Sequence, residues 1–373
     1  MSPSLRFPEF TGEWEEFSLG EIGDSFIGLT YKPTDTVPSG GIIVFRSSNI
    51  QDGCIDYKDI VRVNKKVREN LITKNGDLLI CARNGSSRLI GKNALLHRTD
   101  ANQTFGAFMM VFRSDKNHFV HHLLNTKRYT SQVAENLGAR INQITSSDLS
   151  SFRFFFPKDD KEMTRIASLF DLLDGRIAVQ NRLIEDLKKL RCAVSNKLFQ
   201  SVKGVVIPLS GISNIVKGKQ INGDFLAEVG EYYVMNGGTE PSGYYDNYNV
   251  EANTISISEG GNSCGYIQFN RMPFWSGGHC YTIQDIVSDV ETLYLYHYLK
   301  SKEDSIMKLR IGTGLPNIQK KDLAEFKVII PAIEQQRTIS NILSLLERKT
   351  EIEGRMLIAM RTEKQYLLHQ MFI

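Results

Sequence analysis

The sequence predicts an α+β protein with a pseudo-two-fold internal repeat, in which two tandem mixed α/β domains are separated by two long antiparallel helices that form a coiled coil. Three observations support this fold class. The 373-residue chain is longer than the roughly 250 residues over which one hydrophobic core usually extends. Its first half matches its second half, and each half ends in a heptad pattern of apolar residues. The expected boundaries are 1–157 and 201–331 for the domains, and 158–200 and 332–373 for the helices.

The internal repeat is clearest where residues 138–157 (GARINQITSSDLSSFRFFFP) match residues 312–331 (GTGLPNIQKKDLAEFKVIIP). After one gap the agreement continues through both tails, as far as Leu198-Phe199 and Met371-Phe372. Self-similarity at such a long period indicates that each half is a globular domain followed by a tail. The matched positions in the first segment are Gly138 and Gly312, Ile144 and Ile318, Asp148-Leu149 and Asp322-Leu323, Phe152 and Phe326, and Pro157 and Pro331.

The two globular segments are predicted to be mixed and rich in strands. Short apolar runs bounded by Gly, Asn and Ser are typical of strands joined by turns. In the second segment the runs are Tyr232 to Met235 and Thr254 to Ile257. In the first segment they are Ile42 to Phe45, Leu78 to Cys81, Phe108 to Phe112 and Phe152 to Phe156, the last of which is expected in the core.

Each tail predicts a long helix. From Leu173 onward, apolar residues recur at alternating steps of four and three, which is the spacing of a coiled-coil seam. Each helix is expected to begin after a proline, Pro157 or Pro331, which stops the preceding strand. Two seams of equal length in one chain most simply satisfy each other as an antiparallel pair. The predicted seam residues are Leu173, Ile177, Ile184, Leu187, Val194, Leu198, Leu346, Leu357, Met360, Leu367 and Met371.

Composition excludes several classes of protein. No window approaches the roughly 20 apolar residues of a membrane span, and the N-terminus lacks a secretory pattern, so we expect a cytoplasmic protein without membrane partners. Five scattered cysteines without a C-x-x-C pair indicate reduced thiols. His118, His121 and His122 cluster, but no nearby Cys or carboxylate completes a ligand set, so no metal site is expected. The net charge of +3 is only weak evidence for a nucleic-acid partner, and residues 201–331 carry 11 basic and 14 acidic side chains.

The duplicated segment resembles the specificity subunit of type I restriction-modification enzymes, across essentially the whole chain. The shared pattern is G-x-x-L/I-x-x-I-x-x-x-D-L-x-x-F/I-x-x-x-x-P followed by an apolar-periodic helix that ends in L-F. The second copy carries it as Gly312, Leu315-Pro316-Asn317, Ile318, Asp322-Leu323, Phe326, Pro331, Glu334-Gln335 and Met371-Phe372. The first copy departs from it with Ile141-Asn142-Gln143 and Lys161-Glu162 at the positions of Leu-Pro-Asn and Glu-Gln.

This resemblance implies a non-catalytic DNA-recognition subunit. Each domain would be a target recognition domain that reads one half of a bipartite double-stranded DNA sequence, and the helices would be a spacer. A helix of roughly 40 residues is about 60 Å long, or on the order of 17 base pairs. The implied partners are two methyltransferase subunits using S-adenosylmethionine and two restriction subunits using ATP and Mg. No cofactor is expected in this chain, which lacks N/D-P-P-Y/F, G-x-x-x-x-G-K-S/T and a convincing nuclease carboxylate set.

Candidate DNA-binding residues lie in loops that carry planar donors and amides, the groups that read base edges. The strongest candidates follow the run Leu78 to Cys81, and their expected repeat partners, at an offset of 176, place a glutamate where the first copy has an arginine. A glutamate could accept a hydrogen bond from cytosine. The first segment's residues are Arg83, Asn84, Gly85, Ser86, Ser87, Arg88 and Lys92, with Arg46, Asn49, Arg140 and Asn142 as weaker candidates. The second segment's residues are Glu259, Gly261, Asn262 and Ser263, with Lys217, Lys219, Asn236 and His279 as weaker candidates.

Two other classes of function stay open at this point. The chain could be a helical scaffold with two protein-binding heads and no role in DNA, in which case it would have no salt-dependent DNA affinity. It could also be a self-sufficient nuclease or methyltransferase, in which case it would turn over DNA without any partner. For each candidate loop, an ordinary hairpin or a solvated surface is the competing interpretation.

Overall fold

The structure, a computed structural model, describes residues 2–139, 142–312, 314 and 316–373. The chain divides into two compact units. Unit 1 comprises Met1–Gln180 and Met356–Ile373, and unit 2 comprises Asn181–Arg355. Each unit therefore contains one globular head together with parts of both long helices. The α+β fold class with a duplicated head and two long antiparallel helices is confirmed.

The head of unit 1 is built from short strands and four short helices. Its strands are β1 (Glu15–Ser18), β2 (Asp24–Ile27), β3 (Thr36–Val37), β4 (Ile42–Phe45), β5 (Ile50–Gln51), β6 (Cys54–Ile55), β7 (Val61–Val63), β8 (Leu78–Cys81), β9 (Asn93–Leu95), β10 (Thr104–Phe105), β11 (Met109–Arg113) and β12 (Arg153–Phe156). Its helices are α1 (Leu19–Ile22), α2 (Asn117–Leu123), α3 (Lys127–Ala139) and α4 (Ser146–Ser151). The first long helix is α5 (Asp160–Ser201).

The head of unit 2 is smaller. Its strands are β13 (Val205–Pro208), β14 (Asn214–Lys217), β15 (Tyr232–Met235), β16 (Tyr244–Tyr245), β17 (Thr254–Ser258), β18 (Ile267–Asn270), β19 (Trp275–Ser276), β20 (Cys280–Gln284) and β21 (Lys327–Ile330). Its helices are α6 (Thr292–Ser301), α7 (Glu303–Met307) and α8 (Lys320–Ala324), and the second long helix is α9 (Ile333–Met371).

The two heads share their sheet topology. The order β2-β11-β8-β9 in unit 1 matches β14-β20-β17-β18 in unit 2, and the antiparallel pair β1-β12 matches β13-β21. The remaining sheets, β10-β4-β7-β3 and β16-β15-β19, both contain one parallel pair, β4 with β10 and β15 with β19. The sequence repeat is therefore a repeat of architecture.

Strand β8 shows how alternating side chains build the core of unit 1. All four of its residues are fully buried. Leu78 and Ile80 face one apolar cluster, whereas Leu79 and Cys81 face another, because successive strand residues point to opposite faces of a sheet. In the matching strand β17, Ile255 and Ile257 are apolar but Ser256 and Ser258 occupy the second face, so this layer is more polar in unit 2.

The long helices run antiparallel within each unit. In unit 1, the Lys364 ammonium near the end of α9 donates a hydrogen bond to Asp174 near the start of α5. In unit 2, Arg191 near the end of α5 donates to Glu347 near the start of α9 at 3.2 Å. All eleven predicted seam residues are buried or half-buried, whereas intervening residues such as Leu172 are exposed.

The end of α9 completes the core of unit 1. Phe372 packs against Trp14, Phe119 and Phe170, with ring centroids 5.1 to 6.5 Å apart. The backbone N–H of Leu5 donates to the carbonyl of Gln370 at 2.9 Å. The first and last segments of the chain therefore belong to one folded unit.

Candidate nucleic-acid interface

The candidate residues of each head converge at one edge of its sheets. In unit 1, strands β4 and β8 end and strand β11 begins at this edge; in unit 2 the same holds for β15, β17 and β20. We call these regions loop face 1 (residues 46–49, 83–89, 106–108 and 142–143) and loop face 2 (residues 217–220, 236–238, 259–263, 277–279 and 316–317).

A pair of glycines allows the loops of each face to lie close together. A Cβ atom on Gly28 would lie 2.2 Å from the carbonyl oxygen of Gly106, and one on Gly218 would lie 2.2 Å from that of Gly277. Contacts this short with backbone leave room only for hydrogen at these positions. Both copies therefore use a glycine to bring the end of β2 or β14 against the loop that precedes β11 or β20.

The loop after β8 presents most of the charge of loop face 1. Arg83, Gly85, Ser86, Ser87 and Arg88 are exposed, and Asn84 is half-buried. The Arg83 guanidinium lies over the ring of Phe108, 5.2 Å from its centroid. This stacking orients the guanidinium while leaving its donors toward solvent, as direct base or phosphate contact requires.

Two asparagines hold loop face 1 together. The Asn84 side chain donates to the Ser47 hydroxyl at 3.0 Å, and the Asn142 side chain donates to the carbonyl of Gly85 at 3.1 Å. Asn142 has a φ of 44°, a left-handed conformation that asparagine tolerates better than most residues. In this conformation both amides position the loop, so the exposed arginines are its available donors.

Asn49 requires a correction, because the structure makes it a buried turn residue. Its side chain is fully buried, donates to the carbonyls of Asp56 and Asp59, and accepts from the N–H of Arg46. It has no donor left for DNA. Arg46 also pairs with Asp59, at 2.8 Å, but it keeps about a third of its side chain exposed.

Glu259 requires a second correction, because its place in the repeat is shifted by one residue from the sequence alignment. Ile144 donates its N–H to the carbonyl of Ala82 at 2.9 Å, and the repeat partner Ile318 donates to that of Glu259, also at 2.9 Å. Glu259 is therefore the copy of buried Ala82, and the copy of Arg83 is Gly260. Accordingly, Glu259 is only 7% exposed and does not present its carboxylate to a DNA groove.

The buried Glu259 carboxylate holds residues of loop face 2 in place through hydrogen bonds. It accepts hydrogen bonds from Lys217 at 2.7 Å and from the Tyr281 hydroxyl at 2.9 Å, both at Oε1. Burial and the hydrogen bond to Glu259 raise the pKa of Tyr281, so the phenol stays a donor. Oε2 is buried without a hydrogen-bond partner among the described residues, 3.8 Å from His279 Nδ1.

Among the predicted residues of loop face 2, Lys217, Lys219, Asn262 and His279 are exposed, whereas Gly261 and Ser263 are half-buried; Gln220 and Asn317 are exposed there as well. The Asn236 side chain helps to position this loop, because its Oδ1 accepts the N–H of His279 at 3.1 Å. Loop face 2 therefore presents lysines, amides and an imidazole at the place where loop face 1 presents two arginines. Arg140 lies outside the described residues.

Lys92 lies beside loop face 1 on an open cavity of about 1190 Å³ in unit 1. Arg88 and Lys92 line it from the head, Arg361 and Lys364 line it from α9, and Asp174 lines it from α5. The excess of basic over acidic side chains favours an anionic neighbour. His121 and Asp174 in its wall, with His122, bring potential metal-ligand atoms to within 4.8 Å of one another.

Sequence reasoning missed Phe108 and the α9 cations. Phe108 was expected to begin a strand, but β11 begins at Met109 and the Phe108 side chain is 58% exposed. An aromatic residue just after Gly106-Ala107 was the available signal for a loop. Arg361 and Lys364 carried no such signal, because only the fold brings α9 to the first head.

The duplicated fold is that of the specificity-subunit class of type I restriction-modification systems. The family model for the type I restriction modification DNA specificity domain matches residues 11–189 and 202–359, so the chain belongs to this family. None of the helices in the described part of the chain is long and apolar enough to cross a membrane.

Curated proteins with similar sequences are also described as type I specificity subunits. A type I specificity subunit from Mycoplasma pneumoniae is 30% identical over 166 residues, covering 44% of each chain. One from Mycoplasma genitalium is 25% identical over 250 residues, covering 63% of this chain and 65% of the relative. The match thus spans less than two thirds of either Mycoplasma relative. A type I restriction enzyme specificity subunit from Methanocaldococcus jannaschii is 24% identical, covering 92% of this chain and 89% of the relative.

Solved structures share the fold. The crystal structure of a type I restriction-modification S subunit from M. genitalium superposes with a TM-score of 0.72 at 21% identity, covering 100% of this chain and 99% of the other. A chain from a study of complex assembly and conformational transition of a type I system gives a TM-score of 0.53 at 17% identity, covering 95% and 96%.

Proposed function

We propose that this chain is the specificity subunit of a type I restriction-modification enzyme that reads a bipartite double-stranded DNA sequence, one half with each loop face. The observation that carries this proposal is the duplication of the loop face with changed side chains. The two faces have the same backbone supports, including the paired glycines, but one presents Arg83 and Arg88 and the other presents Lys219, Asn262 and His279. Heads that share a scaffold and differ in their exposed donors suit two different half-sites.

The long helices fix the distance between the half-sites. Helix α5 has 42 residues, which corresponds to about 63 Å at about 1.5 Å per residue. That length is on the order of 18 base pairs of duplex, so the half-sites can lie more than one helical turn apart. A spacer of fixed length makes the gap between the half-sites part of the recognised sequence.

The chemistry belongs to partner subunits. Two methyltransferase subunits, using S-adenosylmethionine, and two restriction subunits, using ATP and Mg, are directed to the site by this chain. The head of unit 2 is net acidic, so the partners supply part of the neutralisation of the DNA phosphates. We therefore expect the chain alone to bind DNA weakly and the complex to bind it strongly and with sequence specificity. The chain acts in the cytoplasm.

Mapping methylated adenines across the genome, with and without this gene, tests the proposal. The expected result is that deletion abolishes methylation at one split motif and leaves other motifs unchanged. Restoring the gene with Arg83→Ala and Arg88→Ala should reduce methylation of that motif, whereas restoring it with Lys158→Ala, outside loop face 1, should restore it fully.

Three outcomes would overturn the proposal. If no split motif disappears on deletion and the purified complex shows no salt-dependent DNA affinity, the chain is a scaffold for proteins. If the chain alone methylates or cleaves DNA, it is an enzyme in its own right. If methylation persists at half-sites with any separation, the spacer has no measuring role.

A further inference from the structure

We propose that unit 1 contains a Zn²⁺ site formed by His121 Nε2, His122 Nδ1 and an oxygen of Asp174. The site joins helix α2 of the head to helix α5 and opens onto the cavity beside loop face 1. The three side chains offer donor atoms that all lie within 4.8 Å of one another. Two imidazole nitrogens and a carboxylate are ligands that Zn²⁺ accepts, with a fourth position left for water.

Hydrogen bonds fix the tautomer of His121, so that its Nε2 lone pair is available to the proposed metal ion. The Asn93 side chain donates to the carbonyls of Gly91 and Leu124, both at 3.3 Å, so its oxygen is the atom that faces His121 Nδ1 at 3.0 Å. An amide oxygen can only accept, and Nδ1 must therefore carry the proton. His121 Nε2 is then unprotonated, as a metal ligand has to be.

The second imidazole is fixed in the opposite tautomer. His122 Nε2 lies 2.8 Å from Asp171 Oδ1 and donates its proton to that carboxylate. A carboxylate behind the ligating histidine is the usual arrangement at zinc sites, since it orients the ring and makes the other nitrogen more basic. That other nitrogen, Nδ1, is the one that faces Asp174.

His122 Nδ1 is the second, independent observation that points to a metal ligand. The His122 side chain is fully buried, and Nδ1 has no hydrogen-bond partner among the described residues. It lies 3.8 Å from Asp174 Oδ2, too far for a hydrogen bond. Zn²⁺ held at about 2.0 to 2.1 Å from each ligand needs donor atoms about 3.3 Å apart, so small side-chain rotations close the site.

Asp174 also accepts a hydrogen bond from Lys364, but through Oδ1 and not through Oδ2. The Lys364 ammonium donates to Oδ1, which leaves Oδ2 directed at His122. The carboxylate can therefore bridge the ammonium and the metal ion. The positive charge of Lys364 lowers the affinity for a cation, and the negative charge of Asp171 on the far side of His122 opposes that effect.

The second copy of the fold supplies a natural comparison. There, Tyr296 and His297 stand at the positions of His121 and His122, and Glu347 stands at that of Asp174. The Tyr296 hydroxyl donates to Glu347 Oε1 at 2.8 Å, and His297 Nε2 lies 2.9 Å from the Ser344 hydroxyl. A phenol thus satisfies the carboxylate directly in unit 2, where unit 1 has a second imidazole instead. This difference confines the metal site to unit 1.

Titration of the full-length, tag-free chain with Zn²⁺ after chelator treatment tests the site. We expect one ion per chain by calorimetry and a higher melting temperature with Zn²⁺ than without it. His121→Gln and Asp174→Asn should each weaken Zn²⁺ binding at least tenfold and remove the rise in melting temperature. His118→Gln is the matched control, because His118 lies on the same helix and its polar contact among the described residues is with Asp171, at 3.0 Å.

Circular dichroism without metal shows whether each variant is folded, and Asp174→Asn carries the test if His121→Gln is not. Retention of wild-type Zn²⁺ binding by both folded variants would overturn the proposal. The absence of saturable binding in the wild type would do the same, as would an equal loss in His118→Gln. None of these measurements involves DNA, so the result is independent of the proposed function.

Discussion

The Arg191 guanidinium donates a hydrogen bond to Glu347 at 3.2 Å, and this contact is the repeat partner of the Lys364 to Asp174 contact. At the tail offset of 173, Asp174 corresponds to Glu347 and Arg191 corresponds to Lys364. Each long helix therefore contributes the acid to one pair and the base to the other. Such an exchange arises when two copies of one helix pair antiparallel, and it fixes their register.

Charge reversal in unit 2 should reveal this register. Arg191→Glu places two carboxylates side by side and should destabilise the chain by about 1 to 2 kcal/mol, and adding Glu347→Arg should recover part of the loss. A double-mutant cycle from denaturant titrations measures the coupling. Lys188→Glu is the control, since the ion pair that Lys188 makes within the described part of the chain is with Glu185 on its own helix, at 2.9 Å. The register would be contradicted if the coupling energy between Glu347→Arg and Arg191→Glu equalled that between Glu347→Arg and Lys188→Glu.

Gly28→Ala should destabilise the head of unit 1 by about 2 to 3 kcal/mol. The added methyl group would lie 2.2 Å from the Gly106 carbonyl oxygen, and backbone must move to accept it. Gly175→Ala is the matched control: it meets nothing within 4 Å inside helix α5 and should stabilise the chain by up to about 1 kcal/mol. Thermal melts of the two variants should shift in opposite directions, and shifts of the same sign would refute the close approach.

Arg83→Ala should weaken binding of the assembled complex to its own site by about 1 to 3 kcal/mol, or roughly 5-fold to 150-fold. Arg83 is exposed on loop face 1 and lies over the Phe108 ring, so under the proposed function its guanidinium would donate to a base edge. Titrating the complex against its site and against a site altered in one half gives the measurement. If Arg83 reads a base, the variant loses preference only in one half-site. A uniform loss on all DNA would assign the residue to phosphate contact.

His297 should make unit 2 less stable in mild acid. Burial, together with Arg191 and Arg271, lowers the pKa of His297 to about 4 from its ordinary value of 6.5. The unfolded chain then binds a proton below pH 6.5 that the folded chain does not. The free energy of unfolding is therefore unaffected above pH 6.5 and falls between pH 6.5 and pH 4, by at most about 3 kcal/mol.

Comparison of wild type with His297→Gln isolates this contribution from the other titrating groups. Glutamine keeps a hydrogen-bonding group for Ser344 but has no proton to take up. Denaturant titrations between pH 4 and pH 7.5 should show a shallower loss of stability in the variant. Parallel curves for the two proteins would mean that His297 keeps its ordinary pKa in the folded state.

The sequence was sufficient for the architecture because duplication doubles the signal. Two copies of the heptad seam and of the segment around Asp148 and Asp322 establish the fold and the family, even where one copy alone is weak. The strands at Ile42–Phe45, Leu78–Cys81 and Tyr232–Met235 have the predicted bounds, because apolar runs between turn residues delimit them.

The details of the loop faces could not be predicted in the same way. Gly261 and Ser263 suggested an alignment that backbone hydrogen bonds place one residue away, which moved Glu259 from the surface to the interior. The sequence of a polar loop also does not distinguish side-chain amides that are free to bind DNA from those that hydrogen-bond to the loop backbone, as Asn49 and Asn142 do. The third donor of the histidine cluster, Asp174, lies 52 residues beyond His122, too far along the chain for a spacing argument.

Because Phe372 packs against Trp14 in the aromatic cluster, unit 1 is completed by residues that lie far along the chain from its first strands. Unit 2 is one continuous stretch, Asn181–Arg355, and has all of its residues earlier. During synthesis the second head can therefore mature before the first, against the usual N-to-C order. Until the end of α9 has been synthesised, the nascent first head exposes the apolar surface that Leu368, Met371 and Phe372 later cover, which leaves that surface open to non-native association.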